Sequence, residues 1–144
     1  MTSGPPTTLS ADAQEFCWLL DKLAADTPGV RDAIAVSADG LLISASGSED
    51  HPGAQRLAAV VSGMISLAGG AARGHNLGGL HKVIVDLTDG YIVITAMSAA
   101  SVLGVVADKS ASLGTVAYEM TMFSSRVGRS LPPATVLELK NAMA

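Results

Sequence analysis

Apolar residues in the first part of the chain recur at the spacing of an amphipathic helix. They stand three or four positions apart, with charged residues between them, at Phe16, Leu19, Leu20 and Leu23. The pattern predicts a first helix over residues 11–26, with Ser10 as its N-cap and Pro28-Gly29 just beyond its end.

A change to alternating apolar and polar positions predicts two strands after this helix. Residues 30–37 and 41–46 carry the alternation, and the turn Asp39-Gly40 stands between them. Asp-Gly between two apolar runs is among the strongest short signals for a hairpin. We expect the Asp39 carboxylate to bond local backbone, as Asp side chains do in turns.

The helical period returns over residues 54–73, where charge is confined to Arg56 and Arg73. Apolar positions at helical spacing are Leu57, Val60, Val61, Met64, Leu67 and Ala68. Small residues occupy much of the remaining surface, among them Ser62, Gly63, Ser66 and Gly70. A surface helix normally has a charged or polar face, which this segment lacks. We therefore predict that it packs on a sheet with one face and on another helix with the other.

The second half of the chain predicts a meander followed by helices. Three antiparallel strands joined by tight turns are predicted at 82–87, 91–97 and 102–107. Lys82 and Asp86 place charge on the first of them, as is typical of an edge strand. A third helix follows over residues 113–127 and ends at Gly128.

The predicted order of elements is α-β-β-α-β-β-β-α. One five-stranded antiparallel sheet with helices on both faces satisfies this order, so we predict an α/β fold of that architecture. Residues 1–8 consist mainly of Pro, Gly, Ser and Thr, which predicts a flexible N-terminal tail. We expect one domain over residues 9–128 and a C-terminal tail with a short helix over residues 129–144.

The amino-acid composition argues against some classes of binding partner and favours others. Only 15% of the residues are charged, 49% are hydrophobic, and the net charge is −4. The nine Lys and Arg residues stand singly, whereas binding of nucleic acid or anionic lipid needs clustered cations. Surface charge normally prevents the apolar surfaces of separate molecules from associating. Because this chain has so few charges, its composition favours a homo-oligomer.

The N-terminal segment and the single cysteine favour a cytoplasmic location. Residues 1–13 have neither the basic region nor the apolar region of a signal peptide. Cys17, the one cysteine, has no partner for a disulfide within the chain. The longest stretch of low charge, residues 57–72, is shorter than the roughly 20 apolar residues that span a membrane, so no direct membrane insertion is expected.

No constellation of catalytic residues stands out in the sequence. His51, His75 and His81 lack the i, i+4 helical spacing of a metal site and have no cysteine near them. The glycine-rich segment 74–79 precedes a strand, whereas a phosphate-binding loop follows a strand and opens a helix. We predict that the protein is not an enzyme and has no catalytic residue, metal or cofactor. An enzyme whose groups meet only in space stays an alternative.

The element order and several segments together resemble the roadblock/LC7 family. The resemblance extends over residues 9–128, and its most telling part is the hairpin that follows an amphipathic helix. It is carried by Phe16, Leu19 and Leu23, by Pro28-Gly29-Val30, by Ala35-Val36-Ser37, by Asp39-Gly40-Leu41-Leu42-Ile43, by residues 57–72, by Val83-Ile84-Val85 and by Leu103-Gly104-Val105-Val106. Within the family, the chain is similar to the bacterial MglB-like proteins and to the roadblock component of actinobacterial conservons.

The resemblance implies a non-catalytic binding module with the layered, profilin-like plan of that family. Members form homodimers through the second helix and the edge strand beside it. The dimer residues expected here are Ser62, Gly63, Ser66, Gly70, Lys82, Val83, Ile84 and Val85.

The resemblance also implies a Ras-like small GTPase as partner, whose nucleotide cycle or location the dimer regulates. Conservon components resemble a sensor kinase and such a GTPase, so a sensor-kinase-like protein is a further expected partner. Any membrane association would come through these partners. The polar start of the second helix, with its last arginine, supplies the expected GTPase contacts: Glu49, Asp50, His51, Gln55, Arg56 and Arg73. Because profilin-like and longin-like sensors share the layered plan, a ligand-binding module without a GTPase partner is the alternative.

Overall fold

The computed structural model describes residues 9–98, 100–127 and 131–144. The predicted tail over residues 1–8 and the predicted helix stop at Gly128 lie outside the described residues. In chain order the elements are α1 (Ala11–Asp26), β1 (Val30–Ser37), β2 (Leu42–Gly47), α2 (His51–Gly74), β3 (Lys82–Leu87), β4 (Gly90–Ser98), β5 (Ser101–Asp108), α3 (Leu113–Val127) and α4 (Pro133–Met143).

The five strands form one antiparallel sheet, which confirms the predicted architecture. Their order is β2-β1-β5-β4-β3, so the β3–β4–β5 meander lies beside the β1–β2 hairpin. β5 joins the two units by pairing with β1 along its length. β2 and β3 are therefore the two edges of the sheet.

Helices cover both faces of the sheet. On one face α1 and α3 pack around an apolar cluster in which the rings of Phe16 and Phe123 meet edge to face, with centroids 5.8 Å apart. On the other face α2 places Val61 in a second cluster with Ile34. A Cβ on Gly104 would lie 2.8 Å from Cγ2 of Val61, so the glycine lets α2 approach β5 closely.

α2 begins earlier than the predicted segment 54–73 and ends at Gly74. Asp50 caps its start, because its Oδ1 accepts the backbone N–H of Gly53 at 2.8 Å. Pro52 fits the first turn, where a backbone N–H would have no helical partner. The polar character of residues 49–53 resembles a loop in the sequence, although these residues are the cap and first turn of a helix.

The predicted C-terminal helix is α4, and it lies at the β2 edge of the sheet. Its Leu139 is 2% exposed and belongs to the cluster beneath α1 and α3. Its Met143 packs against the cluster beneath α2. α4 therefore crosses the β2 edge from one face of the sheet to the other.

Asp39 has side-chain partners that its turn position does not predict. Its carboxylate accepts hydrogen bonds from the Ser37 hydroxyl and from Nζ of Lys140 on α4, the latter at 2.7 Å. Lys140 first, and then Ser37, lower the pKa of Asp39 from 3.8 to about 2. A backbone hydrogen bond from Leu41 also lowers this pKa, which agrees with the expected local backbone bond. The sequence pattern did not predict the additional connection from the β1–β2 turn to α4.

Acidification is expected to weaken the attachment of α4 between about pH 4 and about pH 2. Because the pKa of Asp39 falls from 3.8 to about 2 on folding, the ion pair stabilises the folded chain fully above about pH 4. This stabilisation is lost as the pH falls towards 2. The denaturant midpoint of unfolding, measured across this range, reports the loss.

The Lys140→Met variant, which lacks the ion pair, is expected to show a flatter pH dependence in this range. Hydrogen bonds from Ser10 lower the pKa of Glu138, a second carboxyl group on α4. Both chains are therefore also compared with Glu138→Gln added. An unchanged pH dependence in Lys140→Met would show that the ion pair does not hold α4.

Candidate functional site

The side of α2 that faces away from the sheet is apolar, and none of the residues that the structure describes covers it. Of its 24 residues only Gly53, Ala54, Ala58 and Val61 are buried. Val60 is 44% exposed and Leu67 is 78% exposed. The exposed residues on this side are Ala59, Val60, Gly63, Ser66, Leu67 and Gly70, and we call them the α2 outer face.

The small residues predicted at a dimer contact do not all lie on this face. Gly63, Ser66 and Gly70 are exposed, and a Cβ added at Gly63 would meet no atom within 4 Å. Ser62 is half-buried, and its Oγ lies 3.2 Å from where a Cβ on Gly40 would stand. Because Gly40 is in the β1–β2 turn, Ser62 is on the flank of α2 that faces away from β3.

β3 lies beside the α2 outer face and forms the open edge of the sheet. Val83 and Val85 are half-buried, and Val83 packs against the cluster beneath α2. Lys82 and Ile84 are exposed and alternate with the valines, so their side chains lie on the opposite face. The α2 outer face and the β3 edge therefore lie on two elements that are in contact with each other.

A buried carboxylate organises the segment that leads into α2. Asp32 on β1 is 2% exposed, and its Oδ1 accepts the backbone N–H groups of Ser48 at 2.7 Å and Glu49 at 3.0 Å. The Ser48 hydroxyl also donates to it, at 3.1 Å. A Cβ on Gly47 would stand 2.6 Å from the same Oδ1, so glycine is needed for this close approach. Asp32 thereby fixes the backbone just before the Asp50 cap.

The residues predicted to contact a GTPase fall into two groups. Glu49 and Asp50 lie in the segment held by Asp32, and His51, Gln55 and Arg56 are exposed on the first turns of α2. Arg73 is in the last turn, where its Nη1 lies 3.4 Å from where a Cβ on Gly69 would stand. At 1.5 Å per helical residue, Arg56 and Arg73 are about 26 Å apart along α2. In one protomer they therefore cannot touch the same small group.

Titratable groups do not cluster into a metal site in the described part of the chain. No three His, Cys, Asp or Glu side chains there lie close enough together to hold a metal ion. His51, His75 and His81 are each exposed.

A polar cavity of about 360 Å³ lies on the other face of the sheet, between α3 and the β3–β4 edge. Thr95 and Ser124 are among the residues that line this cavity, and their hydroxyl oxygens are buried and have no hydrogen-bond partner among the described residues. His81 and Lys82 also contribute to the lining. Buried hydroxyls of this kind are usually satisfied by ordered water or by a ligand.

By length and composition alone, α2 would be sufficient to cross a membrane, and no other helix in residues 9–98, 100–127 and 131–144 meets that test. An 18-residue window of it has a mean hydropathy of 1.3. It is longer than the stretch 57–72 because the residues around the Asp50 cap and Arg73 are helical as well. Buried Ala58 and Val61 attach α2 to the sheet, so the same helix is part of the folded domain.

Comparison of the sequence with models of known protein families shows to which family this chain belongs. The model of the Roadblock/LC7 domain matches residues 16–107, from α1 to the end of β5. The chain belongs to the roadblock/LC7 family. The α2 outer face, the β3 edge and the segment held by Asp32 all lie inside the roadblock/LC7 match, whereas α3 and α4 lie beyond it.

Solved structures share this roadblock/LC7 fold. A roadblock/LC7 domain from Streptomyces avermitilis is 29% identical with a TM-score of 0.75, over 80% of this chain and 96% of that one. Myxococcus xanthus MglB is 20% identical with a TM-score of 0.76, over 85% of this chain and 92% of that one. Schizosaccharomyces pombe profilin is 13% identical with a TM-score of 0.59, over 78% of this chain and 95% of that one. A search of curated proteins finds no match.

Two features of the candidate site in this roadblock/LC7 domain were not predicted from the sequence. The first is Asp32, although a carboxylate inside the apolar strand 30–37 is itself a signal, because a buried charge needs hydrogen-bond partners. The second is the exposure of Val60 and Leu67, which the helical period assigns to an apolar stripe without saying which part the sheet covers.

Proposed function

We propose that this chain is a non-catalytic homodimeric regulator that binds a Ras-like small GTPase and controls its nucleotide cycle or location in a bacterial signalling system. The observation that carries the proposal is the exposed apolar α2 outer face, on the helix that lies beside the edge strand β3. Membership of the roadblock/LC7 family supports it, because the family resemblance implies this kind of module. A sensor-kinase-like protein would be a second partner, and the regulator would be cytoplasmic, reaching a membrane only through its partners.

In the proposed dimer, β3 of each copy pairs across a two-fold axis and the two α2 helices lie antiparallel. An exposed sheet edge is normally covered or paired, and the α2 outer face beside it needs the same cover. Gly63, Ser66 and Gly70 would allow close approach, while Val60 and Leu67 would supply apolar contact. The protomer thus presents both a backbone edge and a side-chain face to its copy.

This arrangement also brings together arginines that are distant within one protomer. Gly63 and Ser66 have the same midpoint along α2 as Arg56 and Arg73. In an antiparallel pair centred on that midpoint, Arg56 of one copy stands level with Arg73 of the second copy. Each end of the helix pair then holds two arginines together with Glu49 and Asp50, and so offers charges of both signs to a polar partner.

The GTPase would bind at either end of the helix pair, since the two ends are equivalent. The predicted contacts there are Glu49, Asp50, His51, Gln55 and Arg56 of one copy and Arg73 of the second copy. Asp32 contributes indirectly, because it holds the backbone of Glu49. In this proposal the dimer acts by reshaping the switch loops of the GTPase and supplies no catalytic group of its own.

Alanine substitutions at Arg56 and Arg73 are expected to leave GTP hydrolysis within about tenfold of wild type, because an arginine finger would contribute about 10³–10⁵ in rate. The assay is single-turnover hydrolysis by Ras-like GTPases of the same genome, each with and without the purified dimer. Binding of each GTPase, loaded with GDP or a GTP analogue, is measured in parallel by calorimetry.

Arg126→Ala on α3 is the control, because that arginine is exposed on the other face of the sheet. A thousandfold loss of stimulation with binding intact, in either α2 variant, would reveal a finger and contradict the non-catalytic mechanism. Failure of every Ras-like GTPase to bind the dimer would contradict the proposed function itself.

A ligand-sensing module is the second candidate function, and the polar cavity at Thr95 and Ser124 favours it. Its lining of Thr and Ser residues with Lys82 and His81 fits a small polar or anionic molecule better than an apolar one. Saturable binding of a small metabolite that Thr95→Val abolishes, together with no GTPase binding, would select this candidate.

A further inference from the structure

Two opposite charges on the edge strand β3 are placed symmetrically about one residue. Lys82 stands two positions before Ile84 and Asp86 stands two positions after it, and all three residues are exposed. Because side chains alternate along a strand, these three lie on one face of the sheet, and Val83 and Val85 lie on the other. The strand thus carries a lysine and an aspartate on the same face, at equal distances from Ile84.

Contacts within the protomer leave both charges available to a partner. None of the ion pairs among the described residues involves Lys82. Asp86 pairs with Lys109 through Oδ1 alone, and its side chain remains 69% exposed. On the neighbouring strand β4, Thr95 faces Lys82 and Tyr91 faces Asp86, so no opposite charge on β4 stands directly beside either of them.

The pairing of β3 with its own copy is restricted to certain registers. In an antiparallel strand, the backbone groups that point to one side belong to every second residue. Pairing with β4 fixes which residues of β3 point outward, and it does so identically in both copies. The two-fold axis must therefore pass beside a residue that faces its own counterpart.

Among these registers, the one centred on Ile84 matches the side chains on both faces. It places Lys82 beside Asp86 of the second copy, twice by symmetry, and it places Ile84 beside Ile84. On the other face, Val83 lies beside Val85 of the second copy. A register centred on Val83 would instead oppose Lys82 to Ile84, and one centred on Val85 would oppose Asp86 to Ile84. Each shift sets a charge against an apolar side chain, which costs free energy relative to the matched pairs.

We propose that Lys82 and Asp86 select the partner and the register of β3, by pairing reciprocally with Asp86 and Lys82 of a second copy of this chain about a two-fold axis at Ile84. The occupant is a second copy because the charges of the strand complement their own sequence in this register. Charges on an edge strand oppose pairing wherever they meet a like charge or an apolar residue. The same two residues therefore disfavour other edges and other registers. This inference rests on the proposed dimer and names the residues that determine its specificity.

Reversal of either charge is expected to weaken the dimer. Lys82→Asp sets two carboxylates against each other at both ends of the strand pair, and Asp86→Lys sets two ammonium groups against each other. Facing charges are favourable when opposite and unfavourable when alike, and the two-fold axis doubles each change. The dissociation constant measured by sedimentation should rise at least about tenfold in each variant. Lys22→Asp and Asp21→Lys are the matched controls, because they make the same changes of charge at exposed positions of α1.

An equimolar mixture of the Lys82→Asp and Asp86→Lys proteins tests the pairing itself. Every facing pair in the mixed dimer is opposite in charge, so native mass spectrometry should show mainly heterodimers. Their dissociation constant should lie within about threefold of wild type. Asp86→Lys also loses the contact with Lys109, and recovery in the mixture would show that its defect lies between chains. The double variant Lys82→Asp/Asp86→Lys exchanges the two charges and should form homodimers again.

A cysteine at the proposed axis reports the register without any change of charge. Residues that face each other across antiparallel strands have Cα atoms about 4.5–5.5 Å apart, which a disulfide can bridge. In a Cys17→Ser background, Ile84→Cys should cross-link rapidly to its own copy under mild oxidation. Val85→Cys is the matched control, because in this register it faces position 83 and should cross-link slowly by itself.

The outcomes separate this inference from the proposed function. Single reversals that dimerise like wild type, a mixture that does not form heterodimers, or faster cross-linking at position 85 than at 84 would each overturn the inference while a wild-type dimer persists. A monomeric wild type would contradict the proposed dimer, and this inference with it. A dimer that follows the charges but binds no GTPase would contradict the proposed function and support this inference.

Discussion

Leucine at position 63 is expected to turn the dimer into monomers while leaving the protomer folded. In one protomer a Cβ at Gly63 meets no atom within 4 Å, so the larger side chain fits without strain. Between two antiparallel α2 helices it would hold the backbones apart, and overpacking costs about 1–3 kcal/mol. That cost raises the dissociation constant of the dimer roughly 5- to 150-fold.

Light scattering and sedimentation measure this result. Wild type should show about twice the chain mass of 14.5 kDa, and Gly63→Leu about one chain mass at tens of micromolar. Gly114→Leu is the matched control, because that glycine is also helical and has no atom within 4 Å of an added Cβ, but lies on α3. A dimer that persists in Gly63→Leu would show that α2 does not face its copy at this residue.

Removing the Asp32 carboxylate is expected to release the start of α2. Asp32→Ala leaves the N–H groups of Ser48 and Glu49 without an acceptor, and an unpaired buried polar group costs about 1–3 kcal/mol. Asp32→Asn keeps one acceptor oxygen and should lose less. The free energy of unfolding should therefore decrease in the order wild type, Asn, Ala.

Two measurements separate this effect from general destabilisation. Hydrogen exchange should increase first over residues 47–53, and the affinity for a bound GTPase should fall in the same order as stability. Asp86→Asn is the control, because that carboxylate is exposed on β3 and paired with Lys109, so its change should stay within about 0.5 kcal/mol. Equal stability of wild type and Asp32→Ala would show that the carboxylate does not hold this segment.

The predicted sheet is correct because local sequence patterns are sufficient to identify its strands. The turns Asp39-Gly40 and Asp89-Gly90 separate runs with the period of strands, and the meander follows from their short spacing. The start of α2 is misplaced because the polar residues 49–53 resemble a loop until the Asp50 cap is seen. The role of Asp32 depends on hydrogen bonds to residues sixteen and seventeen positions away, which no local pattern encodes.

The predicted interaction surface depends partly on local sequence and partly on packing between distant elements. Gly63, Ser66 and Gly70 are recognisable as a small-residue stripe, and the structure leaves them exposed. Ser62 belongs to the same stripe in sequence, but the packing of α2 turns it towards Gly40. The dimer and GTPase contacts stay predictions, since they depend on a second chain.

The sequence by itself determines the kinds of element, their order and the family, because turn residues and apolar periods act over a few positions and need no distant partner. The tertiary structure alone decides which side of α2 the sheet covers, where the buried Asp32 finds its donors, and that α4 crosses the β2 edge to reach Asp39. These features join residues that are far apart along the chain. They arise from the packing of complete elements, in which each apolar face is covered by whichever element the topology brings nearest.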